Sequence, residues 1–281
     1  MGDSIPLLSQ HPSLHHDVDL IIASISLPIA ISNIHYGIVT VIHNKHAIYK
    51  LNLLAAVLLL VNSVVQMVGT LPSNIPCMAR YLVYAVSSYI SLVSLDTILY
   101  LKAKSVRPKA RLITTVYILF RLLHLGIWVK LIYGVNLIYV GPGTHSCTSI
   151  AKFYDMLILI GLETTIIIYL TITFLKIIYS QYKEAPRAIY SLLLKDGLIF
   201  SLSICVFYFF ITILKFAKIM AHTDLFSIEW VVSSKLMTEQ VWRSHMWRSE
   251  RQNLEETTVM EDFEHNNGAV AIDFDEVSSA K

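Results

Sequence analysis

The chain has 281 residues, of which 55% are hydrophobic and only 15% are charged, and its mean hydropathy is +0.59. A soluble domain of this length carries nearer a quarter charged residues, so the composition argues against a soluble protein and indicates a membrane protein. The formal net charge of +2 excludes little, because basic and acidic residues occupy different parts of the sequence.

Six apolar runs are long enough to cross a bilayer. A spanning helix needs about 20 mostly apolar residues, because the hydrocarbon layer is ~30 Å thick and each helical residue rises ~1.5 Å. After an N-terminal segment, 1–19, that contains no Lys or Arg, the runs cover residues 20–42, 48–70, 77–101, 112–133, 153–178 and 197–216. The sequence therefore predicts an all-α integral membrane protein.

A seventh span, over residues 217–237, is interrupted by charged residues but keeps a helical pattern. One face of this helix carries polar side chains, those of Lys218, His222, Glu229 and Ser233. A span with one polar and one apolar face is typical of a helix that lines a polar interior. We therefore expect a seven-helix transmembrane domain over residues 20–238. The alternative is an interfacial helix that lies flat on the membrane after six spans.

The basic residues predict the orientation of the helices. Fifteen Lys and Arg residues fall in the connections after spans one, three, five and seven, and five fall on the opposite side. Because basic loops stay in the cytosol, we expect the N-terminus outside and the C-terminus inside, in the plasma membrane. Residues 3–8 resemble an acidic dileucine sorting signal, which acts only in the cytosol. A vacuolar or other endomembrane location is the alternative.

Two of the three cysteines fall on the predicted outer side. Cys77 begins span three, and Cys147 lies in the outer connection between spans four and five. Two cysteines on the oxidising side of a membrane favour a Cys77–Cys147 disulfide. The alternative is a pair of free thiols. Cys205 lies in the middle of span six, where a packed apolar residue is expected.

The C-terminal part of the sequence is polar. Residues 251–281 are rich in acidic residues, Asn and Ser and lack apolar periodicity, so they predict a disordered cytosolic tail. The preceding stretch, 239–250, contains two Trp and two Arg residues. These residue types are typical of a membrane interface and are compatible with a short interfacial helix.

Two ionisable residues, Arg121 and Glu163, lie near the middle of spans four and five. Charged groups at that depth are costly, tend to pair and often mark functional sites. We expect them to form a ligand- or ion-binding site with His222 and Glu229 of span seven. The alternative is an Arg121–Glu163 pair that only joins neighbouring helices.

A second group of charged residues lies near the cytosolic ends of spans three, six and seven. These residues are Asp96, Asp196 and Lys235. Charges that meet at this end can hold the inner side of a helix bundle closed and separate on activation, so we predict a cytosolic switch. The alternative is that each side chain simply extends to the interface.

The sequence contains no nucleotide-binding or hydrolase motif and no local metal-ligand spacing, so we expect neither an enzyme nor a bound cofactor or metal. A retinal protein is disfavoured, because its lysine must lie in the middle of the last span, whereas Lys218 and Lys235 lie near its two ends. The basic loops indicate orientation and contact with the lipid bilayer rather than binding to nucleic acid.

Seven spans, an outer N-terminus, Cys77 at the head of span three, Cys147 in the second outer loop and an acidic tail with Ser and Thr resemble a G-protein-coupled receptor. Span three ends in residues 99–102, Leu-Tyr-Leu-Lys, where the rhodopsin-like class carries Asp-Arg-Tyr. Residues 195–197 and 234–236 resemble a group of uncharacterised fungal seven-helix membrane proteins.

Two functions from different classes remain at this point. The resemblance implies a receptor that binds an extracellular small molecule or peptide and signals to a cytosolic partner such as a heterotrimeric G protein. The alternative is a small-solute or proton-coupled transporter that uses the charged residues inside the spans. Transporters often consist of internal repeats, and the sequence has no self-similar halves, which favours the receptor.

Overall fold

The computed structural model describes residues 12–44, 46–70, 76–106, 111–134, 136–139, 147–150, 153–184, 200, 202–203, 206–207, 209–214 and 227–246. Its elements in chain order are α1 (Pro12–His43), α2 (Ala47–Thr70), α3 (Cys77–Val106), α4 (Arg111–Gly134), β1 (Asn136–Tyr139), β2 (Cys147–Ile150) and α5 (Phe153–Glu184). The described residues among 200–214 are helical and are labelled α6, and residues 227–246 form α7.

Five helices within the described residues are long and apolar enough to cross a membrane. Their apolar segments are Leu20–His43, Ala47–Val68, Cys77–Lys104, Arg111–Gly134 and Leu157–Lys176. Each coincides with one of the first five predicted spans, so the prediction of a helical membrane protein is confirmed. Their exposed side chains are mostly large and apolar, as expected for helices that face lipid.

Helix α3 is the centre of the bundle. It packs against α2, α4 and α5, and α1 packs against the other side of α2. Of its apolar segment, 61% is buried, compared with 22% for α4. An apolar cluster at the N-terminal half of α3 contains Tyr81, Tyr84, Ala85, Trp128, Leu131 and Leu159. This cluster joins α3 to α4 and α5.

Helices α1 and α2 approach closely at a glycine. A Cβ atom added to Gly37 would lie 3.0 Å from Cδ1 and 3.3 Å from Cα of Leu53. The second of these atoms belongs to the backbone, so a side chain at this position requires the helices to separate. Small residues allow such close helix packing within membranes.

Helix α7 runs antiparallel to α2. At its start the amide of Gln66 donates to the Ser227 hydroxyl (2.9 Å), and eleven residues later Thr238 donates to the Asn52 side chain (3.2 Å). The two contacts lie about 16 Å apart along α7 at ~1.5 Å per residue. Hydrogen bonds at this separation mean that α7 from Ser227 to Thr238 runs along α2 from Gln66 to Asn52.

The contacts with α3 give the same direction. The indole of Trp230 donates to the Ser91 hydroxyl (2.6 Å), and Lys102 donates to the Gln240 side chain (2.8 Å). From the first of these contacts to the second, the residue number increases on both helices, so α7 is parallel to α3. Residues up to Gln240 belong to one compact unit and residues from Val241 onward to a second. In the second unit the described residues are helical and Trp242 stacks on His245.

The polarity of α7 explains why it is not among the five apolar helices. Its buried polar side chains are Ser227, Glu229, Ser233, Ser234, Thr238 and Gln240. These side chains lower the hydropathy of the helix although they lie inside the protein. The predicted span over residues 217–237 is described only from residue 227, and α7 continues without a break through the predicted start of the interfacial helix at 239.

A short β-hairpin lies in the connection between α4 and α5, where the sequence predicts a loop. The two strands are antiparallel, with Asn136 opposite Ile150 and Tyr139 opposite Cys147. Strand β1 contacts α3. The hairpin therefore brings the start of β2 to the side of the bundle that carries α3.

Candidate functional site

The middle of α3 presents a polar face to the rest of the bundle. Its buried polar side chains are Ser87, Ser88, Ser91, Ser94 and Asp96. The Ser87 and Ser94 hydroxyls donate to main-chain carbonyl groups one turn back, at 2.6 and 2.8 Å. Serine lies inside an apolar bundle at low cost when its hydroxyl bonds to its own helix. This polar face of α3 lowers the cost of burying a carboxylate inside the bundle.

A buried ion pair joins α3 to α4. The carboxylate of Asp96 contacts the guanidinium of Arg121, and the two side chains are only 6% and 10% exposed. The guanidinium carbon also lies 5.7 Å from the centre of the Tyr117 ring on the same helix, which is cation–π distance. Arg121 is thus held on two sides, by a charge and by an aromatic face.

Hydrogen-bonded aromatic residues flank this pair on the side of the connection between α3 and α4. The Tyr117 hydroxyl lies 2.7 Å from that of Thr97, and the Tyr100 hydroxyl lies 2.9 Å from that of Thr114. The rings of Tyr100 and Tyr117 stack with their centres 4.5 Å apart. These contacts lock the register of α3 against α4 within two turns of the ion pair.

Glu163 lies at the same level as Arg121. Near the end of α4 and the start of α5, Lys130 donates to Asp155 at 2.6 Å. Moving inward by eight or nine residues along both antiparallel helices leads from Lys130 to Arg121 or Leu122 and from Asp155 to Glu163. Glu163 is 2% exposed. The register of α4 against α5 therefore places Arg121 and Glu163 at similar positions along the two helices, and their depth in the membrane stays a prediction.

A cavity of about 20 Å³ lies beside Asp96. It is lined by Leu92, Leu95, Asp96, Leu99, Ile167, Ser233 and Met237, from α3, α5 and α7. Ser233 is 5% exposed, and its hydroxyl has no hydrogen-bond partner among the described residues. A cavity of this size accepts a single water molecule but not a larger ligand.

Two residues of the predicted cytosolic switch, Asp96 and Lys235, have ion-pair partners outside that group. Asp96 pairs with Arg121, whereas Lys235 lies 3.8 Å from Glu239 on its own helix and 5.4 Å from the ring centre of Tyr36 on α1. Within the part of the chain that the structure describes, Asp96 and Lys235 therefore have separate partners. The reason is helix rotation: the Asp96 face of α3 is turned to α4, and Lys235 is turned to α1.

Two predicted site residues, Asp196 and His222, lie outside the described residues. Glu229 is on α7 and 3% exposed, so it is buried in the same bundle. The Arg121–Glu163 pair stays a prediction. Cys77 is 4% exposed at the start of α3, and Cys147 begins β2.

His124 is a further buried polar residue near the ion pair. It lies one turn from Arg121 on α4, is 2% exposed, and stacks on Tyr89 of α3 with ring centres 5.7 Å apart. Neither ring nitrogen has a hydrogen-bond partner among the described residues. A buried imidazole without a partner is costly, and its position one turn beyond Arg121 adds a polar group to the site.

Sequence reasoning missed the polar contacts of α1. Ser26, Asn33 and Thr40 are all buried. Ser26 donates to Ser63 on α2 (2.8 Å), and the Asn33 amide donates to Ser234 on α7 (3.1 Å). The signal was present, because residues seven apart return to nearly the same helix face. A search for polar residues at heptad spacing inside apolar spans identifies this face.

Comparison with protein-family models finds no match for this chain, and a search of curated proteins finds none either. The assignment of function therefore rests on the residues described above.

Proposed function

We propose that the chain is a seven-helix receptor-like membrane protein that binds an extracellular ligand and signals to a cytosolic partner such as a heterotrimeric G protein. The observation that carries the proposal is the direction of α7, which runs parallel to α3 and antiparallel to α2 and is hydrogen-bonded to both. A last helix parallel to the third ends on the same side as the third. This supports an odd number of crossings, with the two termini on opposite sides.

The basic residues orient the proposed bundle with the N-terminus outside and the C-terminus in the cytosol, and the plasma membrane is the proposed location. Tags at the two termini test this arrangement. We expect an N-terminal tag to bind antibody on intact cells and a tag after Lys281 to bind it only after permeabilisation. Both tags on the same side would refute the seven-helix arrangement, and labelling confined to internal membranes would favour a vacuolar or other endomembrane location.

The Asp96–Arg121 pair is the proposed link between ligand binding and signalling. It joins α3 to α4 at a depth where charges are costly unless they are paired. A helix packing in which the pair is intact therefore differs in free energy from one in which the pair is broken. Arg121, Glu163, Glu229 and His222 are proposed to face the ligand side of this layer. Asp196 and Lys235 are proposed to complete the cytosolic side of the switch.

Guanine-nucleotide exchange tests the signalling proposal without knowledge of the ligand. Protein in vesicles is mixed with purified heterotrimeric G proteins, and nucleotide uptake is measured for the wild type and for Arg121→Gln. We expect the variant to raise basal exchange, because it releases α3 from α4. Lys130→Gln, which breaks a pair at the outer end of α4, is the matched control and is expected to leave exchange unchanged. Exchange equal to that of empty vesicles for all variants and G proteins would refute coupling to G proteins.

Proton-coupled transport is the second candidate function, favoured by three buried carboxyl groups, those of Asp96, Glu163 and Glu229. Ionisable residues inside spans are typical of ion and proton pathways. Proteoliposomes that contain a pH-sensitive dye test this candidate. Proton flux that exceeds that of empty liposomes, depends on candidate solutes and is abolished by Glu163→Gln would favour the transporter over the receptor.

A Cys77–Cys147 disulfide is part of the proposal. Cys77 is not a free thiol. Cys147 is the first residue of β2, and the other strand of the hairpin, β1, contacts α3. These facts support the pairing. Mass spectrometry of unreduced protein is expected to recover one peptide that contains both cysteines, and two alkylated thiols would refute the pairing. The predicted acidic tail, 251–281, lies outside the described residues and stays a prediction.

A further inference from the structure

One buried serine differs from the others in the described helices. Buried serines elsewhere donate to a main-chain carbonyl group of their own helix or accept a hydrogen bond from a side chain of another helix. The first kind includes Ser63, Ser87 and Ser94, and the second includes Ser91, Ser227 and Ser234. The hydroxyl of Ser233 on α7 has no such partner among the described residues, although the residue is only 5% exposed.

Ser233 is also the serine that lines the cavity of about 20 Å³ between α3, α5 and α7. Asp96 is the other polar residue among the described lining residues, and the rest are Leu, Ile and Met. A water molecule requires roughly 10–15 Å³ of such space and about two to four polar partners. The cavity provides both. The buried hydroxyl and the cavity are therefore separate observations that indicate the same ligand.

The two polar side chains have complementary hydrogen-bonding groups. The Ser233 hydroxyl has an O–H group that can donate, whereas a carboxylate only accepts and has several lone pairs. The contact with Arg121 therefore leaves Asp96 able to accept a further hydrogen bond. We propose that the cavity binds one water molecule, which accepts a hydrogen bond from the Ser233 hydroxyl and donates one to the Asp96 carboxylate.

The charges around the cavity favour a neutral ligand. The guanidinium of Arg121 already offsets the charge of Asp96, so the described lining residues present no uncompensated charge to a cation. A divalent cation also requires about six oxygen ligands, whereas the described wall offers the side-chain oxygens of Asp96 and Ser233. Water, which both donates and accepts, matches this set of groups.

The bound water joins α7 to the buried ion pair between α3 and α4. Direct hydrogen bonds connect α3 and α7 at Ser91–Trp230 and at Lys102–Gln240, and the cavity lies between these two levels. Through the water, Ser233 belongs to the same polar network as the ion pair. The inference does not rest on the proposed function, because it holds for a receptor and for a transporter alike.

X-ray footprinting of the full-length protein in lipid nanodiscs tests for the water. A short X-ray pulse produces hydroxyl radicals from water, and these radicals oxidise side chains close to a bound water molecule even when the side chain is buried. Met237 lines the cavity and is 2% exposed, and Met is readily oxidised to the sulfoxide. Leu95 also lines the cavity, whereas Leu159 is buried elsewhere in the bundle. We expect oxidation of Met237 and Leu95 but not of Leu159.

Two substitutions on α7 show whether this oxidation depends on the proposed water. Ser233→Val removes the hydroxyl and extends a methyl group into the cavity, so oxidation of Met237 is expected to fall to the level measured without irradiation. Ser234→Val, the same change one residue away, breaks the contact with Asn33 instead. It is the matched control, in which oxidation of Met237 should persist. Wild-type protein in which Met237 and Leu95 stay unmodified, or an equal loss in both variants, would overturn the proposal.

Reversible unfolding in mixed micelles provides a second measurement, which needs neither a ligand nor a partner and is therefore separate from the signalling and transport assays. A buried hydroxyl without a partner destabilises the fold, so its removal would raise the folding equilibrium constant. A hydroxyl bound to water stabilises the fold instead, and we expect Ser233→Ala to lower that constant about two- to tenfold. Ser24→Ala, at an exposed serine of α1, is the control and should leave the constant unchanged. An unchanged or raised constant in Ser233→Ala would overturn the proposal.

Discussion

A double-mutant cycle on Asp96 and Arg121 tests the central ion pair. Replacing either residue by Leu removes one charge and leaves the other buried. Because the side chains are only 6% and 10% exposed, each single variant is expected to lose about 3–5 kcal/mol of folding free energy, the usual cost of breaking a buried pair. The loss comes from desolvation of the remaining charge and not from the missing attraction alone.

The double variant, Asp96→Leu with Arg121→Leu, is expected to recover most of this loss. Replacement of a buried ion pair by apolar residues is often neutral or stabilising. Recovery should stop short of complete, because Arg121 also contacts the Tyr117 ring (5.7 Å), a contact that contributes about 0.5–2 kcal/mol. The coupling energy between the two positions should therefore be about 3 kcal/mol or more.

The control is the Lys130–Asp155 pair, which also joins a basic residue of α4 to an aspartate but lies near the C-terminal end of α4. Its Lys130 side chain is 67% exposed, so solvent screening reduces the expected coupling to roughly 0–1 kcal/mol. Both cycles are measured by reversible unfolding in mixed micelles of lipid and denaturing detergent. Additive losses at Asp96 and Arg121, or equal coupling in the two cycles, would refute the reasoning from burial.

Three further predictions follow from the packing of the helices and from the tail. Gly37→Val is expected to destabilise the α1–α2 contact by about 1–3 kcal/mol through overpacking, whereas Gly126→Val on α4, with no atom within 4 Å of an added Cβ, should cost less; equal losses would contradict the close approach. Trp230→Phe is expected to cost about 1–3 kcal/mol, because the Ser91 hydroxyl loses its donor, and Ser91→Ala should cost less in that background than in the wild type, as measured by the same unfolding assay. Deletion of residues 252–281 is expected to leave folding unchanged and to alter internalisation in cells, and unaltered internalisation would exclude a sorting role for the tail.

The sequence alone was sufficient to locate the first five spanning helices. The bounds of their apolar runs agree with those of the apolar helix segments to within a few residues. The reason is that the length and hydrophobicity of a span are properties of one continuous segment. The depths of Arg121 and Glu163 in the membrane, counted from the ends of their spans, stay a prediction. The β-hairpin between α4 and α5 was not predicted, because four-residue strands carry too few residues for an alternating pattern to emerge.

The pairing of charged residues required the tertiary structure. Asp96 was assigned to the cytosolic end from its position in span three, and only the rotation of α3 against α4 directs it to Arg121. A one-residue change in helix position turns a side chain by about 100°, so depth can be derived from sequence while the partner cannot. The same argument applies to Lys235, which is turned toward Tyr36 and α1.

Helix α7 shows both what the sequence predicts and what only the tertiary structure decides. Its polar face was visible in the sequence at Glu229 and Ser233, but the reason for that polarity was not. In the structure its hydroxyl, amide and indole groups are matched by partners on three helices that are distant in sequence, including Asn33, Asn52 and Ser91. Hydropathy measures the free energy of one helix in lipid, whereas the burial of α7 depends on hydrogen bonds that form only when the bundle assembles. Composition therefore determined that this chain is a membrane protein, and helix packing decided which of its polar groups are brought together inside it.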